Sequence, residues 1–209
     1  MPKSKAPVTV KPYHHGDLRQ ALLAESERIL EKEGLQALTL RAAARAVGVS
    51  HAAPTNHFGD MTGLLSELAA GGFCRLNAML LDAVAKTCGE PRAALAAMGR
   101  TFVEFARLHP GIFTLMIRGE RLDFQHPALS QAVAHIHLIL RDAVTVKYQA
   151  QELSPMQVTA QITALWALAQ GYAMLMLEGR LEDTLAALPG RPSATELFEA
   201  TLAAANFIG

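Results

Sequence analysis

The sequence predicts an all-α protein of about nine helices, in two parts that share one long helix. Three observations carry this. No window shows sustained period-two alternation between turn residues, the pattern of a half-buried strand. Apolar residues instead recur at three- and four-residue spacing along most of the chain, as one face of a helix requires. Residues 39–58, TLRAAARAVGVSHAAPTNHF, read as a short amphipathic helix, a glycine turn and a second short helix. That order is the helix-turn-helix, whose second helix enters the major groove of DNA.

The elements follow in order. Residues 1–12, with Pro2, Pro7 and Pro12 among Lys3, Lys5 and Lys11, read as a flexible basic arm. A helix over 17–33 turns Leu18, Leu22, Ser26, Ile29 and Leu30 inward, and Gly34 suits its C′ position. Thr39 is placed to cap a helix ending near 47, with Leu40, Ala43, Ala44 and Val47 inward. Gly48 makes the turn. Ser50 is expected to cap a third helix reaching about 57, with Pro54 in its first turn, where a missing N–H costs least. Gly59-Asp60 starts a long helix to about 86 that links this head to the body. Glu90-Pro91 opens the next helix, proline being favoured at the first helical position. A short helix over 111–117 and a loop over 118–126 come after His109-Pro110. Pro127 opens a helix to about 149, and Ser154-Pro155 opens one ending at 179. Loop 188–192 precedes a last helix, where Ser193 and Glu196 form a capping-box pattern.

The helix from Pro155 is apolar nearly all round. Val158, Ile162, Leu165, Trp166, Leu168, Tyr172, Met174, Leu175, Met176 and Leu177 demand cover on several sides. The last helix has its own stripe in Leu197, Phe198, Thr201, Leu202, Ala205 and Ile208. These two helices from each of two subunits would make a four-helix interface. The alternative is that both lie in the interior of one subunit. A homodimer through the last two helices is the expectation, because symmetric DNA readers usually dimerise.

Composition narrows the class. The chain is 51% hydrophobic and 18% charged, as in well-packed globular proteins. Cys74 and Cys88 give neither a disulfide framework nor a zinc cluster, which points to a reducing cytoplasm. The first residues have no apolar signal region. Residues 166–177, interrupted by Gln170 and Gly171, are too short to span a bilayer, so no membrane partner is expected. His14-His15 and the His135/His137 pair each diverge on a helix and lack ligand-spaced partners, so no metal is expected. No Glu-x-x-His pair, Gly-rich phosphate loop or Ser/His/Asp signature is found. An enzyme and a cofactor are therefore not expected. Formal net charge is zero, but residues 1–60 carry Lys3, Lys5, Lys11, Arg19, Arg28, Lys32, Arg41 and Arg45 against Asp17, Glu25, Glu27, Glu31, Glu33 and Asp60. The small surplus of base flanks the helix-turn-helix, the right sign for phosphate contact.

Tyr13-His14-His15-Gly16-Asp17-Leu18, Glu33-Gly34 ahead of Thr39-Leu40-Arg41, the Gly48-Val49-Ser50 turn, His57-Phe58 and Leu64-Leu65 share a combined spacing. Over about residues 13–70 it resembles the TetR (tetracycline-repressor-like) family of transcriptional regulators. More loosely, His109-Pro110-Gly111-Ile112-Phe113 and the pair Trp166 and Gly171 resemble a subgroup whose effector domain carries a Trp-His-Gly signature, with Gln170 in place of its His. The resemblance implies a helix-turn-helix DNA-binding domain over 13–60 and an effector-binding and dimerisation domain over 61–209. It implies a ligand-responsive homodimer, a repressor, on a (pseudo)palindromic double-stranded DNA operator. Two positions depart from the family. Thr55 stands where Tyr is usual and Met61 where Lys is usual, and both usual residues typically touch phosphate in relatives. Losing them predicts weaker binding with a shallower salt dependence.

The residues expected at the DNA are these. Thr39 and Ser50 offer hydroxyls and helix N-terminal amides to phosphate, besides capping. Arg41, and with it Arg45, is within reach of the DNA backbone. His51, Ala52, Thr55 and Asn56 face base edges, where Asn suits adenine and Ala or a Thr methyl suits the thymine methyl. His57 is a phosphate contact by resemblance, while Phe58 is expected in the core. The arm lysines suit a minor groove or phosphate, and solubility explains them as well. Phe102, Phe105, Phe113, Met116, Trp166 and Met174, with Met79, Met98, Met176 and Phe124 as further candidates, are expected to line a pocket for a small apolar effector. Plain core packing is the alternative for each. A rival whole-chain reading, motivated by Thr55 and Met61, is a dimeric ligand-binding or interaction protein whose degenerate head no longer reads DNA.

Overall fold

The computed structural model describes residues 15–87, 91–119, 121–147 and 154–205. The arm lysines, Tyr13-His14, Cys88, Glu90 and Ile208 lie outside the described residues. All regular structure among the described residues is helical: α1 (His15–Glu33), α2 (Leu40–Val47), α3 (Ala53–Phe58), α4 (Met61–Ala85), α5 (Pro91–Leu108), α6 (Pro110–Arg118), α7 (Pro127–Lys147), α8 (Pro155–Leu177), α9 (Glu182–Ala187) and α10 (Ala194–Ala204).

Ten helices stand among the described residues where the sequence predicts about nine. The extra helix, α9, buries no residue. It has six residues and no apolar stripe, so periodicity had nothing to register. A second correction concerns Ser50. Its side chain does not cap α3, whose N-cap position is held by Ala52 without a side-chain hydrogen bond. Pro54 has no N–H to donate to the Ser50 carbonyl, so the first bond of α-type spacing runs from Asn56 N to Ala52 O, 3.1 Å. The helix therefore starts a turn later than the serine.

The other local signals act as their chemistry requires. The Thr39 hydroxyl accepts from Ala42 N at 3.0 Å, and Gly48 ends α2 at φ +77°. Asp60 caps α4 by accepting from Gly63 N at 2.8 Å. Reciprocal capping boxes open α8 (Ser154 with Gln157) and α10 (Ser193 with Glu196). At α10, the Ser193 backbone N–H donating to the Glu196 carboxylate, followed by the Ser193 hydroxyl, holds that carboxyl below its ordinary value of 4.5. A lowered folded value means that the box stabilises the protein at neutral pH and stops doing so as pH falls below 4.5. Thermal midpoints recorded down an acid series should therefore show a shallower acid limb for Glu196→Gln than for the native chain. Coincident acid limbs would refute this role.

Helix α4 is the spine. Its Leu64, Leu65 and Leu68 belong to one core with Leu22, Ile29, Leu30 and Phe58 of the head. Further along, Leu76 and Leu80 belong to the same core as Leu95, Met98, Phe105, Phe113 and Leu129 of the body. Deep in the body, the Asn77 side chain donates to the Ala132 carbonyl of α7 at 3.0 Å. Both α4 and α8 are long and apolar enough to cross a membrane by length and composition alone, a test that the core helix of a globular bundle also passes. Scattered glutamines and glycines interrupt apolar runs without lowering the average much. α4 reaches that apolarity as the core helix of the bundle. In α8, Leu165, Ala169, Tyr172 and Ala173 are buried, but Met156, Trp166 and Leu175 are 77%, 49% and 38% exposed.

Candidate nucleic-acid interface

The side chains of α3 and of the two residues before it divide by exposure. Ala53, Pro54 and Phe58 are buried, and His51, Ala52, Thr55 and Asn56 are exposed. The inward set anchors the helix. Phe58 packs in the head core with the Arg19 guanidinium 5.5 Å above its ring centroid, a favourable cation–π arrangement. Arg19 is also paired with Glu67 of α4. This fixes the end of α3 against both α1 and α4, so the outward set is presented by a rigid element. His57 is half-buried beside Phe58.

Thr39, Arg41, Arg45 and Ser50 are exposed as well. Arg41 and Arg45 stand one helical turn apart on α2 and so share a side. Among the described residues neither makes an ion pair, whereas Arg19, Arg28 and Arg75 each pair with a carboxylate of α1 or α4. Three of the acidic residues of α1 are likewise engaged. Glu25 binds Arg28, Glu27 binds Arg75 of α4 at 2.6 Å, and Glu31 accepts from backbone amides of α6. Among the described residues, the head thus offers two exposed guanidiniums on α2 without an ion-pair partner. Met61 is half-buried and packs on the core.

The six residues expected around an effector are spread over α5, α6 and α8 and differ in exposure. Phe105, Phe113 and Met116 are buried in the α5–α6 core, and half-buried Phe102 meets Phe113 edge-on at 5.3 Å. Met174 is half-buried on α8, and Trp166 is on an exposed part of that helix. Phe124 is exposed. An open groove of about 380 Å³ lies elsewhere, along α4, α5 and the start of α10, with Met79, Asp82, Lys86, Arg100, Glu104 and Thr195 among its walls. Its charges are satisfied: Asp82 holds Lys86, Glu199 holds Arg100, and Arg107 holds Glu104, lowering the Glu104 carboxyl through their hydrogen bonds. No group of three or more potential metal ligands occurs among the described residues.

Three residues that sequence reasoning missed matter here. Gly63 lies against the Phe58 carbonyl at the end of α3, and Glu31 accepts from the first amides of α6. Tyr172 donates to the Ala194 carbonyl at 2.6 Å and ties α8 to α10; burial raises its phenol pKa. Tyr172 was read only as part of an apolar stripe, and nothing local marks its hydroxyl as a tether.

Residues 22–68 match the family described as bacterial regulatory proteins, tetR family, and residues 95–205 match the tetracyclin repressor-like C-terminal domain. A solved structure of a protein with unknown function from Rhodococcus sp. RHA1 is 34% identical, with a TM-score of 0.77, over 95% of this chain and 97% of that one. The TetR family transcriptional regulator PfmR from Thermus thermophilus is 18% identical, with a TM-score of 0.60, over 86% of this chain and 93% of that one. AibR, solved in complex with isovaleryl coenzyme A and operator DNA, is 14% identical, with a TM-score of 0.63, over 91% of this chain and 98% of that one. These last two share the fold. No curated protein matches the chain. The family matches together take in both the helix-turn-helix head and most of the helical body, and the chain belongs to the TetR family of transcriptional regulators, which join a DNA-binding N-terminal domain to a ligand-binding C-terminal domain.

Proposed function

We propose that the protein is a homodimeric, ligand-responsive repressor that binds a (pseudo)palindromic operator. The observation that carries this reading is the exposed set of the head: His51 and Ala52 just before an anchored α3 and Thr55 and Asn56 on it, with exposed Arg41 and Arg45 on α2 free of ion pairs among the described residues. Thr39, Ser50 and His57 flank that face and serve phosphate. Two copies of α3 enter successive major grooves at half-sites about 34–36 Å apart. The exposed faces of α8 and α10 meet their counterparts in the second subunit. The His109-Pro110-Gly111 stretch, Trp166 and Gly171 support placement in the Trp-His-Gly subgroup.

The effector is a small apolar molecule held among α5, α6 and α8. Phe102, Phe105, Phe113, Met116 and Met174 supply its apolar contacts. Trp166 contributes at the dimer face instead. An effector that fits a splayed arrangement better than the DNA-binding one shifts the population off the operator.

The test is a fluorescence-anisotropy titration against DNA from immediately upstream of the protein's own gene, at two salt concentrations with nonspecific competitor, followed by genomic selection if that fragment fails. Sequence-selective binding that weakens with salt is expected. Failure of both searches would refute the reading. The Thr55→Tyr/Met61→Lys double variant probes the rival of a non-reading head. Four added phosphate contacts per dimer should steepen the salt slope by about 3 to 4 log units of affinity per log unit of salt. A native chain without any operator whose double variant binds strongly would favour the rival.

A further inference from the structure

The amide ledger of α6 is unusual. The first four N–H groups of a helix have no partner within it. At α6, His109 occupies the N-cap but gives no side-chain hydrogen bond, and Pro110 has no N–H. Phe113 N already donates to the His109 carbonyl at 2.8 Å. That leaves the amides of Gly111 and Ile112, and both donate to one carboxylate, Glu31 of α1, at 2.8 Å to Oε2 and 3.0 Å to Oε1. A carboxylate at a helix N-terminus also meets the positive end of the helix dipole. The cap of a body helix is thus supplied by the head.

The approach is close enough to dictate the residue opposite. A Cβ at Gly111 would stand 2.9 Å from Glu31 Oε2 and 2.9 Å from the Leu30 carbonyl oxygen. On its other side α6 is pressed equally hard into the body. A Cβ at Gly72 of α4 would stand 2.5 Å from Ile112 Cγ2 and 2.6 Å from Met116 Sδ, and Ile112 and Phe113 are fully buried. No slack exists on either side of α6.

We infer that Glu31 is a positioning residue that clasps the head to α6 and sets the orientation of the DNA-binding face relative to the body. The half-exposed Glu27–Arg75 pair, which joins α1 to α4, has no such role, because half-exposed ion pairs contribute little. Transmission of an effector signal through this clasp rests on the reading proposed above, since Phe113 and Met116 ride on the same helix. The clasp itself does not, and it is testable without DNA or effector.

The experiment is a pulsed electron paramagnetic resonance measurement between spin labels at Ala46 on α2 and Ala134 on α7, both exposed. It uses the full chain with Cys74→Ser and Cys88→Ser, diluted with unlabelled protein so that each assembly carries one labelled subunit. The native chain should give one narrow distance distribution. Glu31→Gln places an amide N–H against the helix amides and should broaden and shift it, as should Gly111→Ala, which favours helix intrinsically but crowds α1. Glu31→Asp, with the charge but a shorter reach, should be intermediate. Glu27→Gln should match the native chain. The Gly111 and Ile112 amides in Glu31→Gln should exchange with solvent about tenfold to a hundredfold faster. A lowered thermal midpoint with an unchanged narrow distribution would make Glu31 a merely stabilising residue and overturn the inference. Equal broadening in Glu27→Gln would overturn it too, by assigning the effect to α1 as a whole.

Discussion

Ala164→Arg on α8 is expected to split the protein into monomers and to lower its affinity for operator DNA by about a hundredfold or more, the range that losing bivalent engagement implies. One side of α8 is bare within the subunit. Met156, Ala160, Ala164, Ala167, Gly171 and Leu175 recur at three- and four-residue spacing and are all exposed. Large apolar ends with small residues between them suit close approach of a second helix. α10 adds exposed Ala200, Ala203 and Ala204, and the Tyr172 hydroxyl holds it against α8. A guanidinium in the middle of that stripe loses its hydration without a partner, which two packed helices cannot tolerate. The site is exposed within one subunit, so helix content and monomer stability should scarcely change. Sedimentation velocity and operator titration of the same sample decide the matter. A variant that stays dimeric with unaltered affinity would place the subunit interface elsewhere.

Much of the fold is written locally, and the parts that are not share a cause. Thr39, Gly48, Asp60, Ser193 and Glu196 act through backbone groups within four residues, and each performs the role its side-chain chemistry implies. Ser50 has the same local credentials and fails, because Pro54 four residues on removes the N–H that would have started the ladder at the serine. The outward face of α3 was legible because burial of Ala53, Pro54 and Phe58 leaves the others no alternative. Periodicity does not separate the effector residues in the same way: apolar side chains that fill a core and those that line a cavity have the same spacing, and Phe105 and Phe113 are fully buried. Glu31 was the least legible of all. In sequence it is one of a run of acids on α1, and its distinction arises only when α6, some eighty residues later, brings two bare amides to it.

Gly63 carries the second large effect. Phe58 ends α3, Gly59 turns at φ +75°, Asp60 caps α4 through Gly63 N, and the Gly63 Cα then faces the Phe58 carbonyl oxygen directly. A Cβ there would lie well inside the contact distance of that oxygen and would also crowd the Phe58 carbonyl carbon at 3.1 Å. Both are backbone atoms, so no rotamer change relieves the overlap. Either α4 unwinds its first turn, losing the Asp60 cap, or the end of α3 moves off the head core and takes Phe58 with it. Gly63→Ala should therefore cost about 3 kcal/mol, the upper part of the range for overpacking, although alanine favours helix by nearly 1 kcal/mol at an unhindered position. Because the strain falls on the joint that orients α3, DNA affinity should fall further than the unfolded fraction accounts for. Denaturant titration and operator binding well below the melting midpoint separate the two losses. Gly71→Ala, eight residues along the same helix with open space around its Cα, provides the control and should be neutral or stabilising. If Gly63→Ala behaved like Gly71→Ala in both measurements, the close packing of α3 on α4 would not be what holds the reading face in place.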